Sequence, residues 1–206
     1  MGHYFDEQPG APSLRRHIEL RLPDMSLSLA TDRGVFGYGQ IDAGSKLLLL
    51  KAPAVPQHGN LLDLGCGVGT LAIPMARRAP EAVVWALDVN QRALALCRTN
   101  AASNNAANVR VATPDEVPAD IRFDCIWSNP PIHVGKPALH DLLQMWLDRL
   151  AGEGYALLVV HKHLGSDSLQ RWLTEHRFPT ERVASSSGYR VLRCSSAGGV
   201  DLDANS

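Results

Sequence analysis

Polar and apolar residues alternate with period two from His17 to Leu22 and again from Ser26 to Leu29, with Pro23-Asp24 between the two runs. This pattern predicts an antiparallel β-hairpin that turns at the proline. Gly34, Gly37 and Gly39 then interrupt the alternation, and a short apolar run follows at 47–50. From residue 60 the rhythm changes. Apolar runs at 61–64, 83–87, 109–112, 123–127 and 155–160 read as strands buried on both faces. Helical spacing separates them. Residues 70–78 form one expected helix. Asn90 is placed to cap a second, with Ala93, Leu94, Cys97 and Ala101 on one face. Leu139, Leu142, Leu143, Trp146, Leu147 and Leu150 make a third apolar stripe, with Gly152 and Gly154 expected to stop it. Residues 164–176 predict another helix, and two last strands are expected around Gly188.

Strand–helix alternation of this kind requires a mostly parallel sheet covered by helices on both faces. Ligands bind such sheets beyond the carboxyl ends of the strands, where the strand order switches. The chain of 206 residues fits one domain. We expect an irregular arm over 1–16, a single α/β domain over 17–195, and a frayed tail of small polar residues over 196–206. No internal repeat divides the chain.

Composition narrows the functional classes. Twenty Lys and Arg against 21 Asp and Glu leave a formal charge of −1, so no global basic field marks a nucleic-acid binder. A nucleic-acid substrate would need a local patch or a partner. The first ten residues lack both the basic leader and the apolar run of a signal peptide. No apolar stretch is long enough to span a bilayer. Cys66, Cys97, Cys125 and Cys194 are widely spaced, with no C-x-x-C pair. They read as reduced, buried thiols of a cytoplasmic protein, and no metal is expected.

The first chemical motif lies between the first parallel strand and its helix, Asp63-Leu64-Gly65-Cys66-Gly67-Val68-Gly69. Glycines there let the backbone turn sharply and approach a ligand, and the helix that follows aims its N–H groups at the same place. The next strand ends at Asp88, 23 residues after Gly65. A carboxylate at that position can accept hydrogen bonds from ribose hydroxyls, which implies a nucleoside-containing cofactor. The spacing is G-x-G-x-G with an acid two residues before the first glycine, not the G-x-G-x-x-G of dinucleotide sites. It resembles the loop of class I methyltransferases. The candidate cofactor-binding set is Asp63, Gly65, Cys66, Gly67, Gly69, Asp88, Val89, Asp115 and Asn129, and the expected cofactor is S-adenosylmethionine.

The second motif ends the fourth parallel strand, Ser128-Asn129-Pro130-Pro131-Ile132-His133. Adjacent prolines fix φ, remove two backbone donors and hold the preceding residues extended. The loop is expected to be stiff, with its carbonyls facing outward. An amide oxygen beside a bare carbonyl can accept both hydrogens of one NH2 group. An amine on a nucleobase is a poor nucleophile because its lone pair is delocalised into the ring. Two acceptors on its hydrogens favour the pyramidal form and aim the lone pair at a methyl donor. They also stabilise positive charge as it develops on nitrogen. The candidate catalytic residues are therefore Asn129, Pro130 and Pro131, with Phe36, Ile132, His133 and Lys136 placed to meet substrate.

Together these segments are specific. Asp32-Arg33-Gly34-Val35-Phe36, Asp42-Ala43-Gly44-Ser45, the glycine loop, Asp88-Val89-Asn90, Ser128-Asn129-Pro130-Pro131 with His133, and Gly188-Tyr189-Arg190-Val191-Leu192 resemble the small-domain methyltransferase family. That family includes bacterial guanine-N2 methyltransferases of small-subunit ribosomal RNA, and the likeness runs over about residues 15–195. The resemblance implies a Rossmann-like sheet of seven strands, the last antiparallel. It implies that Gly65, Gly67 and Asp88 hold the cofactor, that Asn129 and Pro130 hold the target amine, and that Asp115 lies near the adenine. RNA is the implied partner. Relatives commonly carry an aromatic residue where this chain has Ile132, so apolar contact replaces stacking there. The longer ribosomal enzymes also have an additional N-terminal domain, which is not expected here.

Other residues carry less. His161-Lys162-His163 follows a strand on the ligand side, placed to meet a phosphate. Trp127 and Trp146 read as core. Two enzymatic alternatives use the same Asn-Pro-Pro chemistry on adenine N6 or on a protein glutamine amide. The non-enzymatic alternative is an RNA-associated protein that binds the cofactor without catalysis.

Overall fold

A computed structural model describes residues 11–196. Residues 1–10 of the arm expected over 1–16 and residues 197–206 of the tail expected over 196–206 lie outside the described residues. The hairpin forms as its alternation predicts. Strands β1 (Arg16–Arg21) and β2 (Ser26–Thr31) pair antiparallel. They press Leu20, Leu27 and Leu29 onto the main core.

Seven strands make the central sheet. These are β3 (Asn60–Leu64), β4 (Val83–Leu87), β5 (Val109–Ala112), β6 (Phe123–Ser128), β7 (Leu150–His161), β8 (Thr180–Ser186) and β9 (Tyr189–Ser195), in the order β5-β4-β3-β6-β7-β9-β8. Pairing is parallel from β5 to β7, and only β9 runs against its neighbours. Helices α1 (Ala43–Lys51), α2 (Ala72–Arg78) and α3 (Gln91–Ser103) cover one face. Helices α4 (Lys136–Leu147) and α5 (Ser166–Glu175) cover the other. Alternate residues of each strand feed the two cores. Trp127 faces the first helical layer and Ile126 the second. Trp127 and Trp146 are core residues, as expected.

Three local expectations need revision. The apolar run at 47–50 belongs to α1, where Leu47, Leu48 and Leu49 are buried. Three consecutive buried leucines hide the helical period. The usable signal was Asp42, whose carboxylate caps the helix by accepting the Ser45 N–H at 2.8 Å. Gly152 and Gly154 do not stop α4, which ends before them at Leu147; both lie inside β7. A Cβ on Gly154 would stand 2.6 Å from the Phe123 carbonyl oxygen, and the β6–β7 register shifts at that point. The glycine admits a close backbone approach at an irregularity in the ladder. Finally, the ordered unit runs past residue 195. Ser196 is buried and bonds the carbonyls of Gly152 and Gly154.

The hairpin is fastened by two asparagines of α3. Asn100 bonds both the N–H and the carbonyl of Ala30, and Asn104 does the same to Ser28. At one end of the same helix, Asn90 caps the first turn and donates to the Gly34 carbonyl at 2.9 Å. The segment from Asp32 to Phe36 is thereby tied to the end of β4.

Candidate active site

The chain leaves β3 to build β4 and β5 on one side, then returns to place β6 on the other side of β3. At the carboxyl ends of these strands lies a cavity of about 200 Å³, lined in part by Gly65, Asp88, Val89, Asn129 and Pro131. A second cavity, of about 510 Å³, opens beside it, with Phe36, Asp42, Ile132, His133, His161 and Tyr189 among its walls. Asn129 and Pro131 belong to both. A further hollow lies at the amino ends of the strands around Gly152 and Glu181, away from all these groups.

The three glycines of the loop do different work. All have positive φ. A Cβ on Gly65 or Gly67 would meet nothing within 4 Å, so both border open space. A Cβ on Gly69 would meet Ile73 at 2.9 Å and the Cys97 sulfur at 3.0 Å, so that glycine serves helix packing. Cys66 turns inward and is buried; its thiol is raised well above the ordinary range by a hydrogen bond with Cys97 and by burial. Asp88 accepts the N–H groups of Gly67 and Asn90, each at 2.9 Å.

Asp63 is fully enclosed. One carboxylate oxygen accepts the Ala72 N–H at the start of α2, 2.8 Å away, while Oδ1 is buried with no partner among the described residues. An unpaired buried acceptor fits a donor on a bound ligand, such as the ammonium group of an amino-acid tail. Burial pushes the Asp63 carboxyl up from 3.8 to about 7, with Asp88 adding to the rise. An acid raised in the folded state loses stability as pH climbs between those two values. The difference amounts to roughly 4 kcal/mol. Asp63→Asn should therefore raise the melting temperature most above pH 7. It should also weaken the binding of an ammonium-bearing cofactor and flatten the pH dependence of that binding. Thermal scans and titrations from pH 5 to 9 check both. A variant that melts earlier at high pH would refute this account.

Asn129 is the hinge between the cavities. Its Nδ2 donates to Asp42 Oδ2 at 2.7 Å and to Ser45 Oγ at 3.0 Å. A carboxylate only accepts, so the amide cannot be turned round without placing two oxygens face to face. Oδ1 is left with no donor among the described residues. Tyr189 stands behind, its hydroxyl directed at Asp42 Oδ1 at 3.5 Å. Gly44 makes room for that ring; a Cβ there would lie 2.7 Å from it. The sequence named the segment 42–45 but assigned Asp42 and Ser45 no task. Their signal was an N-cap acid followed three residues later by a small hydroxyl.

The proline loop departs from expectation in one respect. The Pro130 carbonyl is not bare: it accepts the Ile132 N–H at 2.9 Å in a tight turn about Pro131, leaving one lone pair. Of the residues proposed for substrate, Phe36, Ile132 and His133 line the second cavity, while Lys136 sits in the first turn of α4 outside both walls. Asp115 is also outside; its neighbour Pro114 reaches the first cavity, and Asp115 faces an adjoining groove. Among the described residues no cluster of His, Cys, Asp or Glu could hold a metal, and no helix is long and apolar enough to cross a membrane. The four cysteines are buried and unbridged.

Sheet order, glycine loop, the acid that follows β4 and the Asn-Pro-Pro corner define an S-adenosylmethionine-dependent methyltransferase. The model of the methyltransferase small domain matches residues 26–193, and the chain belongs to that family. It is 29% identical over 194 residues to the uncharacterized protein YbxB of Bacillus subtilis (strain 168), covering 93% of this chain and 96% of that protein. It is 35% identical over 184 residues to ribosomal RNA small subunit methyltransferase C of Pseudomonas syringae pv. syringae (strain B728a), covering 87% of this chain and 54% of the relative. Among solved structures, the T. thermophilus 16S rRNA N2 G1207 methyltransferase in complex with AdoMet and guanosine superposes with a TM-score of 0.75 at 26% identity, covering 91% of this chain and 52% of the other. The chain thus spans about half the length of the ribosomal RNA methyltransferases it matches.

The open cradle at Gly65 and Gly67 and the unpaired oxygen of Asp63 fit this cofactor. Asp88→Ala should weaken its binding by about 1–3 kcal/mol, the scale of a lost hydrogen bond to a charged group. Calorimetry with S-adenosylmethionine and with NAD provides the check; tight NAD binding without binding of the methyl donor would contradict the assignment.

Proposed function

We propose that the protein methylates the exocyclic N2 amine of a guanine in ribosomal RNA, in the cytoplasm. The observation that carries this reading is the Asn129 amide: its Nδ2 is held by Asp42 and Ser45, its oxygen has no donor among the described residues, and the residue lines both cavities. The relatives named for ribosomal RNA and the neighbour bound to guanosine support the choice of base.

In this reading Asp63, Gly65, Gly67, Asp88 and Val89 bind the cofactor, and Gly69 and Cys66 shape the loop from behind. The bound cofactor supplies an electrophilic methyl group on a sulfonium. Asn129 Oδ1 and the remaining lone pair of the Pro130 carbonyl accept the two N–H bonds of the amine. They hold its lone pair toward the donor and stabilise positive charge as the N–C bond forms. As the N–C bond forms the methyl–sulfur bond breaks, its electron pair staying on sulfur; the methylated amine then loses one proton to solvent, and the methylated base leaves. Ile132 and Phe36 supply apolar contact to the base, and His133 meets its rim.

The test is transfer of radiolabelled methyl from S-adenosylmethionine to separated RNA, DNA and protein fractions, followed by nucleoside and amino-acid analysis. N2-methylguanosine in RNA is expected. N6-methyladenosine or methylated glutamine would replace guanine as the target. Cofactor binding without transfer to any fraction would leave only a binding protein.

A further inference from the structure

Tyr189 closes the second cavity, which receives the methyl acceptor in the reading above and is called the acceptor cavity below, on one side and forms part of a shallow cleft on its other side. That cleft, about 440 Å³, is lined by Lys162, Arg182, Arg190 and the serines 185–187 at the tip joining β8 to β9. It is fixed to the acceptor cavity. His161 lines the cavity, Lys162 follows it, and the Lys162 N–H bonds the Gly188 carbonyl at 2.7 Å. Gly188 packs so tightly on the His161 ring that a Cβ there would lie 2.7 Å from Nε2.

The three cations are not equivalent. Arg190 is ion-paired with Asp167 and donates to Ser166 Oγ at 3.0 Å, so its charge is already used. Lys162 and Arg182 are exposed and have no acidic partner among the described residues. In a chain of net charge −1, two unpaired cations beside three hydroxyl groups form a local field of the sign that attracts an anion. A base seated in the acceptor cavity is covalently joined to phosphates about one nucleotide away. Phosphate contacts fix register and orientation on a nucleic acid. We infer that this cleft, with Lys162 and Arg182 as its cations and the serine tip as its neutral donors, is the subsite for an RNA backbone phosphate next to the target nucleotide. The inference rests on the RNA reading proposed above and supplies the local basic patch that the overall charge does not.

The experiment measures methyl transfer to a ribosomal RNA fragment over a range of salt concentrations. It compares wild type, the Lys162→Ala/Arg182→Ala double variant, the charge-conserving Lys162→Arg/Arg182→Lys pair, and Arg122→Ala. The last removes a cation at the amino end of β6, where Arg122 donates to the nearby carbonyls of Ala119 and Ile121. The double variant should raise the KM for RNA by about tenfold and lower the slope of log affinity against log salt by about 0.7 for each lost contact. Cofactor affinity should stay at the wild-type value, which also reports an intact fold. The charge-conserving pair should recover most of the loss, and Arg122→Ala should match wild type. A double variant whose KM and salt slope equal those of Arg122→Ala overturns the subsite and leaves the RNA reading standing. Wild-type transfer to protein but not to RNA overturns that reading, and the subsite with it.

Discussion

Asn129→Ala should lower the turnover number by about a hundredfold to a thousandfold and leave affinity for S-adenosylmethionine almost unchanged. The magnitude is that of removing one preorganised contact to developing charge. The split follows from geometry. Asn129 touches both cavities, but its oxygen has no partner among the described residues, whereas the cofactor cavity retains its glycine cradle, Asp63 and Asp88. Asn129→Asp should fall between the two. It keeps an acceptor, but it sets a second carboxylate against Asp42 where Nδ2 now donates at 2.7 Å. Single-turnover transfer with saturating cofactor, paired with calorimetric titration, measures both quantities. Transfer by Asn129→Ala at the wild-type rate would make the corner purely structural.

The second large effect is expected at a residue that makes no proposed contact with the reacting atoms. Asp42→Ala should cut turnover by about ten- to a hundredfold and lower the melting temperature by about 2–4 °C. One oxygen, Oδ2, both caps α1 by accepting the Ser45 N–H and holds the Asn129 NH2, so the substitution removes a cap worth about 1 kcal/mol together with the obligate acceptor. The Asn129 side chain can then rotate its own NH2 toward the substrate. Misorientation of one catalytic group is worth up to about a hundredfold. Ser45→Ala removes only the weaker 3.0 Å contact and should cost a few-fold at most. The readout is a fall in kcat with little change in the KM for cofactor. An Asp42→Ala enzyme with wild-type kcat would show that the amide is held by other means.

The parallel strands and the helices between them were legible in the sequence because a sheet covered on both faces leaves uninterrupted apolar runs. The glycine loop and the Asn-Pro-Pro corner were legible because few other residues meet their backbone requirements. Helix α1 was obscured by its consecutive leucines, which follow neither helical nor strand period. Gly152 and Gly154 misled because a glycine that ends a helix and one that admits a close strand contact look alike until the partner strand is known. The orienting task of Asp42 and Ser45 was invisible for a different reason. The hydrogen bonds to Asn129 span 87 and 84 residues of chain, and no local pattern encodes them. Lys136 and Asp115 have the residue types expected at such a site but stand outside both cavity walls.

The attachment of the hairpin to α3 bears on how this protein behaves at high concentration. A two-stranded ribbon normally exposes a row of unpaired N–H and C=O groups, which is a template for pairing with another copy and the start of aggregation. Here the outward groups of Ser28 and Ala30 are taken up by the amides of Asn104 and Asn100, which act as a side-chain substitute for a third strand. Those positions on β2 are closed to intermolecular strand addition for as long as the helix stays docked.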